Sequence, residues 1–213
     1  MRTDELITLL ATGVPAVDKH LFGKRFALAL VVSVLGAALL MTLLFGVRPD
    51  LAQVARLPLF YAKLALPVAL LPGALYLTRR TACPGGRVGG AWVMLCIPLL
   101  VLWLASAYTL LEAPLAARLP LTLGRTWKGC PFKILLLSLP GIVAFSWALR
   151  GLAPTRLPLA GAGAGALAGT LATLVYCLHC PEMTVPFWGV WYVLGMALPT
   201  ALGALLGRCV LRW

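Results

Sequence analysis

The sequence predicts an all-α fold, a polytopic membrane helix bundle with six transmembrane helices and with the N and C termini cytoplasmic. Three observations predict it. The 213 residues are 62% hydrophobic and 11% charged, against roughly 25% charged in an ordinary soluble domain. The apolar residues fall into six runs near the length a bilayer requires, because a hydrocarbon core of about 30 Å takes roughly 20 helical residues. The 18 Lys and Arg, set against 6 Asp and Glu for a net charge of +12, lie between those runs rather than in one patch. They read as topology signals, and no direct nucleic-acid partner is expected.

The chain divides into a cytoplasmic tail (1–25), a six-helix transmembrane domain (26–206) and a short cytoplasmic end (207–213). In the tail, Thr3 is a fair N-cap, Asp4 and Glu5 complement the helix dipole, and Leu6, Ile7, Leu9 and Leu10 form an apolar stripe. Gly13 and Pro15 end it. So short a helix is marginal alone in water, so it lies on the membrane or folds against a partner, and the residues leave both open. A removable signal peptide does not fit, since Asp4, Glu5 and Asp18 stand where a basic leader is expected.

The spans are placed at Phe26 to Val47, Leu57 to Leu77, Ala91 to Leu111, Phe132 to Leu149, Leu157 to Leu178 and Val185 to Leu206. The fourth is the shortest and contains Pro140; Pro67, Pro72, Pro98 and Pro199 kink other spans without naming a substrate. In the fifth, Gly161, Gly165 and Gly169 recur every four residues, the small-residue ridge that lets membrane helices approach closely. The same run superficially resembles a dinucleotide loop, but no strand precedes it. No segment is left for a soluble catalytic domain of about 100 residues, which excludes an ATP-driven pump on one chain.

Orientation follows from the basic residues, which gather in cytoplasmic loops. One side holds eleven of them, Arg2, Lys19, Lys24, Arg25, Arg79, Arg80, Arg87, Arg150, Arg156, Arg208 and Arg212; the other holds six, Arg48, Arg56, Arg118, Arg125, Lys128 and Lys133. Three of those six, Arg118, Arg125 and Lys128, sit in the loop from Glu112 to Pro131 and Lys133 follows just after it, against the rule, which points to a function there. Lys63 lies inside the second span, where a charge is expensive; near the outer end it is expected to snorkel to the interface or pair with Glu112. Trp127, Trp188 and Trp191 are expected as interfacial anchors.

The six cysteines sort by side. Cys83 and Cys209 fall on the cytoplasmic side, Cys96 lies within the third span, and Cys130, Cys177 and Cys180 gather at the outer face, where disulfides can persist. Cys130-Pro131 and Cys180-Pro181 each mark a span boundary, because a helix seldom runs smoothly through the residue before proline, and there a thiol can face water. Arg125, Lys128 and Lys133 surround Cys130 in sequence, and nearby cations favour a thiolate. Cys177-Leu178-His179-Cys180 adds further soft ligands, so Cys130, Cys177, His179 and Cys180 are candidates to hold a soft metal ion, arriving as a signal rather than as a resident cofactor. Two other classes compete with a sensor. A small membrane thiol oxidoreductase, working with a quinone, needs two cysteine pairs where three outer cysteines stand; a metal permease needs intramembrane acidic or His ligands that the spans lack.

The combination of the tail Met-Arg-Thr-Asp-Glu-Leu-Ile, six spans, the Cys130-Pro131 step, His179-Cys180-Pro181-Glu182, Pro186-Phe187 and Trp191-Tyr192-Val193-Leu194-Gly195-Met196 resembles the NrsF family. These are negative regulators of sigma-F, bacterial inner-membrane anti-sigma factors. The resemblance covers essentially the whole chain and is most specific in its C-terminal part and the two Cys-Pro steps. It implies that the tail, Met1 to about Lys24, binds an extracytoplasmic-function (ECF) sigma factor, through Asp4, Glu5, Leu6, Ile7, Leu9 and Leu10. It also implies that Cys130 and Cys180 sense a stress such as heavy metal or oxidant, with no enzymatic step. Cys177 is not carried over. Homo-oligomers stay compatible with the sequence.

Overall fold

The structure is a computed structural model that describes residues 3–12, 21–82, 86, 88–152 and 154–212. Cys83, Arg87, Gly13, Pro15, Asp18, Lys19 and Trp213 lie outside them. All regular structure among the described residues is helical: α1 Thr3–Ala11, α2 Leu21–Leu44, α3 Leu51–Val54, α4 Pro58–Ala82, α5 Gly89–Glu112, α6 Leu115–Leu123, α7 Cys130–Arg150 and α8 Leu157–Tyr176. A last rod joins α9 Val185–Phe187, a π-helical turn Trp188–Tyr192 and α10 Val193–Val210. Six helices are long and apolar enough to cross a membrane: the one from Gly23 to Leu44, α4, α5, α7, α8 and the rod Val185–Val210.

The six expected spans are all present, and their ends move for local reasons. The first starts before Lys24 and Arg25 and stops at Leu44, not Val47. Gly46 stops it: at φ 75° it takes the left-handed turn that lets the amides of Phe45 and Gly46 both bond the Met41 carbonyl. The second runs on through Arg79 and Arg80 to Ala82, because basic residues suit a helix C-terminus. The fourth begins at Cys130, since proline is tolerated in the first turn, where its missing N–H would have no partner. The fifth stops at Tyr176, two residues early. The loop from Glu112 to Pro131 contains the amphipathic α6.

α8 is the centre of the bundle, packed against α10, α7, α4 and α2. Its small residues make that possible. A Cβ on Gly161 would strike the backbone of Gly203 and Gly207, and one on Gly165 the backbone of Pro199 and Thr200, so α8 and α10 meet backbone to backbone. α5 stands at the edge, covered by α4 and α9, and turns a row of large apolar residues such as Trp92, Leu100 and Leu104 outward. Two buried clusters mark the two ends. One joins Phe26, Ala82, Leu149 and Leu211, so the start of α2 and the ends of α4, α7 and α10 lie together. The other joins Met41, Cys130, Tyr176, Cys177, Cys180, Phe187 and Trp188. The spans therefore alternate in direction, and the second cluster defines a thiol end.

Candidate functional site

At the thiol end, four stretches far apart in sequence are tied into one polar knot inside an apolar shell. Its centre is the segment 177–184 between α8 and α9. Cys177 to Cys180 still follow the helical turn, with the amides of Cys177 and Cys180 on the carbonyls of Thr173 and Tyr176. Pro181 ends it.

Cys130, Cys177 and Cys180 are all 0% exposed and unbonded to one another. The expectation that Cys130 and Cys180 face water is therefore corrected. Cys130 occupies the first turn of α7 and points inward, while Cys180 is buried in the same cluster as Phe187 and Trp188. The two thiols lie in one buried cluster with Tyr176. The cations near Cys130 in sequence have other occupations. Lys133 Nζ reaches His179 Nε2 at 3.0 Å and lies 4.7 Å from the Phe45 ring centroid, and Lys128 lies 5.5 Å from that of Trp127.

His179 is held at both ring nitrogens. Nδ1 lies 2.9 Å from the Gly46 carbonyl, which can only accept, so Nδ1 carries the proton and Nε2 accepts from Lys133. Burial, helped by the Lys133 ammonium and opposed by the Gly46 bond, holds the imidazole below its ordinary pKa. In this arrangement His179 has no free lone pair for a metal, and among the described residues no three His, Cys, Asp or Glu are grouped to hold one.

Lys63 neither snorkels nor pairs with Glu112. It is 0% exposed, and its Nζ donates to the carbonyls of Cys180 at 2.6 Å and Glu182 at 3.1 Å, 5.7 Å from the Tyr192 ring centroid. Its partners come from a segment more than a hundred residues on, which spacing along α4 could not reveal. Arg48 adds a third donor, Nη1 to the Cys180 carbonyl at 3.3 Å, while its other nitrogens grip Asp50 at 2.7 Å. That grip holds the Asp50 carboxyl below its usual range.

The carboxylate of Glu182 points to the loop ahead of Cys130, where Oε1 accepts from the amides of Arg125 at 2.8 Å and Thr126 at 3.2 Å. Gly124 permits this approach. Its φ of 58° is left-handed, and a Cβ there would lie 2.7 Å from Glu182 Oε2. Further ties run from Thr184 Oγ1 to the Leu121 carbonyl and from Trp191 Nε1 to the Thr122 carbonyl, each 2.9 Å. Trp188, expected at the interface, is instead buried, with Nε1 on the Glu182 carbonyl at 3.2 Å. Sequence reading missed both tyrosines. Tyr176 and Tyr192 pack edge to face at 5.9 Å, and the buried Tyr192 hydroxyl has no hydrogen-bond partner among the described residues. The signal was available, a hydroxyl-bearing ring inside each of two apolar runs next to cysteine or proline motifs. Tyr192 also closes the π-helical turn, an irregularity that recurs at functional sites.

α1 carries an acidic first turn, Asp4 and Glu5, and leaves Leu6 and Ile7 exposed. Leu9 and Leu10 belong to the same helix. The six sequence-assigned tail residues thus share one short helix, and the thiols share one cluster.

Six helices long and apolar enough to cross a membrane, a buried thiol cluster at one end of them and an amphipathic helix ahead of the first define an all-helical protein of membrane type. The comparisons sharpen this. The family described as "Negative regulator of sigma F", NrsF, matches residues 10–213, and the chain belongs to it. It is 45% identical to the "Probable anti-sigma-F factor NrsF" of Azospira oryzae and 37% identical to the "Anti-sigma-F factor NrsF" of Caulobacter vibrioides, each over the full length of both chains. No solved structure matches.

Proposed function

We propose that this chain is a membrane-held anti-sigma factor. Its tail, residues 1–25, sequesters an ECF sigma factor on the cytoplasmic face of a bacterial inner membrane, and Cys130 and Cys180 at the periplasmic end sense heavy metal or oxidant and trigger release. Full-length kinship with two proteins named anti-sigma-F factors is the observation that carries this reading.

The geometry supports a route between the two ends. Cys130 is the first residue of α7, and that helix, about 30 Å long at 1.5 Å per residue, ends beside the start of α2. There Phe145 stacks with Phe26 at 6.0 Å between ring centroids, and Trp147 lies 5.5 Å from the Arg25 guanidinium. A shift of α7 at its thiol end reaches the base of the tail through two direct contacts. The engaged His179 favours chemistry between Cys130 and Cys180 themselves over a centre with three or four ligands.

The test is a sigma-dependent reporter in cells making the full chain, a chain lacking residues 1–15, and the Cys130→Ser and Cys180→Ser variants. The deletion should free the reporter without stimulus, and the serine variants should keep it silent under cadmium or diamide. Unchanged repression after the deletion refutes the anti-sigma reading. Normal induction in both serine variants refutes the sensor.

A further inference from the structure

Lys63 is a buried, positively chargeable side chain whose observed bonds are to main-chain carbonyls, and the bonds leading away from it converge on the two thiols by separate routes. The first is direct. Nζ holds the carbonyl of Cys180 at 2.6 Å. The second has three links. Nζ holds the carbonyl of Glu182 at 3.1 Å; the carboxylate of Glu182 holds the amides of Arg125 and Thr126; and the Thr126 carbonyl accepts from the amides of Gly129 at 3.2 Å and Cys130 at 3.1 Å. Cys130 opens α7 and Cys180 follows the end of α8, and these routes set one against the other within the buried cluster that also holds Tyr176.

We propose that Lys63 is the positioning residue of the thiol pair, fixing the register in which Cys130 and Cys180 meet, so that their oxidation to a disulfide depends on a side chain of α4 that carries no thiol chemistry of its own. This rests on the sensor reading above and names the part of the site it leaves unassigned. Placement of this kind decides reactivity because bond formation requires near contact, and two cysteines whose α-carbons stay more than about 7 Å apart cannot be bridged. It also accounts for the cost of burying an amine in an apolar bundle, which a mere interface anchor would avoid. The surroundings fit a positioning role. Arg48 reaches the same Cys180 carbonyl from outside, Trp188 reaches the same Glu182 carbonyl, and the Tyr192 ring closes the remaining side of Nζ.

The experiment uses the full chain in membranes, with Cys83, Cys96, Cys177 and Cys209 replaced by Ala so that Cys130 and Cys180 alone remain. Diamide is added; the two thiols lose two electrons and two protons, which reduce its N=N bond to a hydrazine, and one S–S bond forms. Remaining thiols are alkylated, and mass spectrometry counts the linked fraction over time. Lys63→Met should slow linkage by about tenfold or more, while alkylation of each thiol alone proceeds at least as fast as before. Glu182→Ala, which cuts only the second route and leaves Lys63 in place, should slow linkage too, and Glu182→Gln, whose amide oxygen can still accept from the 125 and 126 amides, should restore it. Linkage at the parent rate in Lys63→Met overturns the proposal and spares the thiol pair. Should Lys63→Met fail to fold, Glu182→Ala decides in the same way. Thiols that never join in the two-cysteine parent overturn the pairing itself and this role with it.

Discussion

A thiol with no exposed surface reacts only when its surroundings let a reagent in, so Cys130 and Cys180 gain selectivity from the residues that bury them. Because both are buried in one cluster around Tyr176, they should act as a unit. Cys130→Ser and Cys180→Ser are expected to abolish the response to diamide equally, with the double variant no worse, while Cys209→Ser, on the exposed surface of α10, stays silent. Reporter induction measured across the four variants checks this, and unequal single variants would break the unit. What could be read at this scale was residue identity. The Cys-Pro steps marked the two thiols, but a proline after cysteine is compatible with a water-facing boundary and with a helix start pointing inward, and only the fold separates the two. Lys63 was misplaced for a similar reason. A cation in an apolar run advertises cost, not its partner, and here the partners are carbonyls, which every residue carries.

Elements were more legible than contacts, because span length is dictated by the bilayer and helix ends by local chemistry such as the left-handed Gly46. The glycine ridge of α8 was legible as packing from its four-residue spacing, though the helix it meets was not. That contact is now assigned to α10, so Gly165→Val should force the helices apart against the Pro199 carbonyl, costing about 1–3 kcal/mol as overpacking does. Gly89→Ala, where an added Cβ meets nothing within 4 Å, should be neutral. Thermal unfolding of the detergent-extracted proteins compares them. α1 makes the opposite prediction. Its Leu6 and Ile7 are exposed, so Leu6→Ala with Ile7→Ala should leave the stability of the bundle unchanged. The pair should nevertheless weaken sigma binding by about 2 kcal/mol or more if both are anchors in a groove, read by titrating the sigma factor onto the purified protein.

At the scale of the molecule, a signal at the thiol end has to alter the tail across the thickness of the bundle. Moving a two-state equilibrium from 1:99 to 99:1 takes about 5.5 kcal/mol, and a disulfide typically supplies roughly 2–4 kcal/mol. A single S–S bond thus moves such a device part of the way, and the resting state must already lie near its tipping point. A helix as short as α1, marginal alone in water, fits a device of this kind. All of this requires the tail and the thiols to lie on opposite sides of the membrane. The structure puts the start of α2 and the ends of α4, α7 and α10 together, away from the thiols, and the eleven-to-six distribution of Lys and Arg predicts that the first group faces the cytoplasm. Reporter fusions after Arg80 and at Trp213 should therefore report cytoplasm, and one near Arg125 the periplasm. A periplasmic signal at Trp213 would break the even span count. A cytoplasmic signal at Arg125 would put the thiols in a reducing compartment, where a disulfide switch could not be held closed.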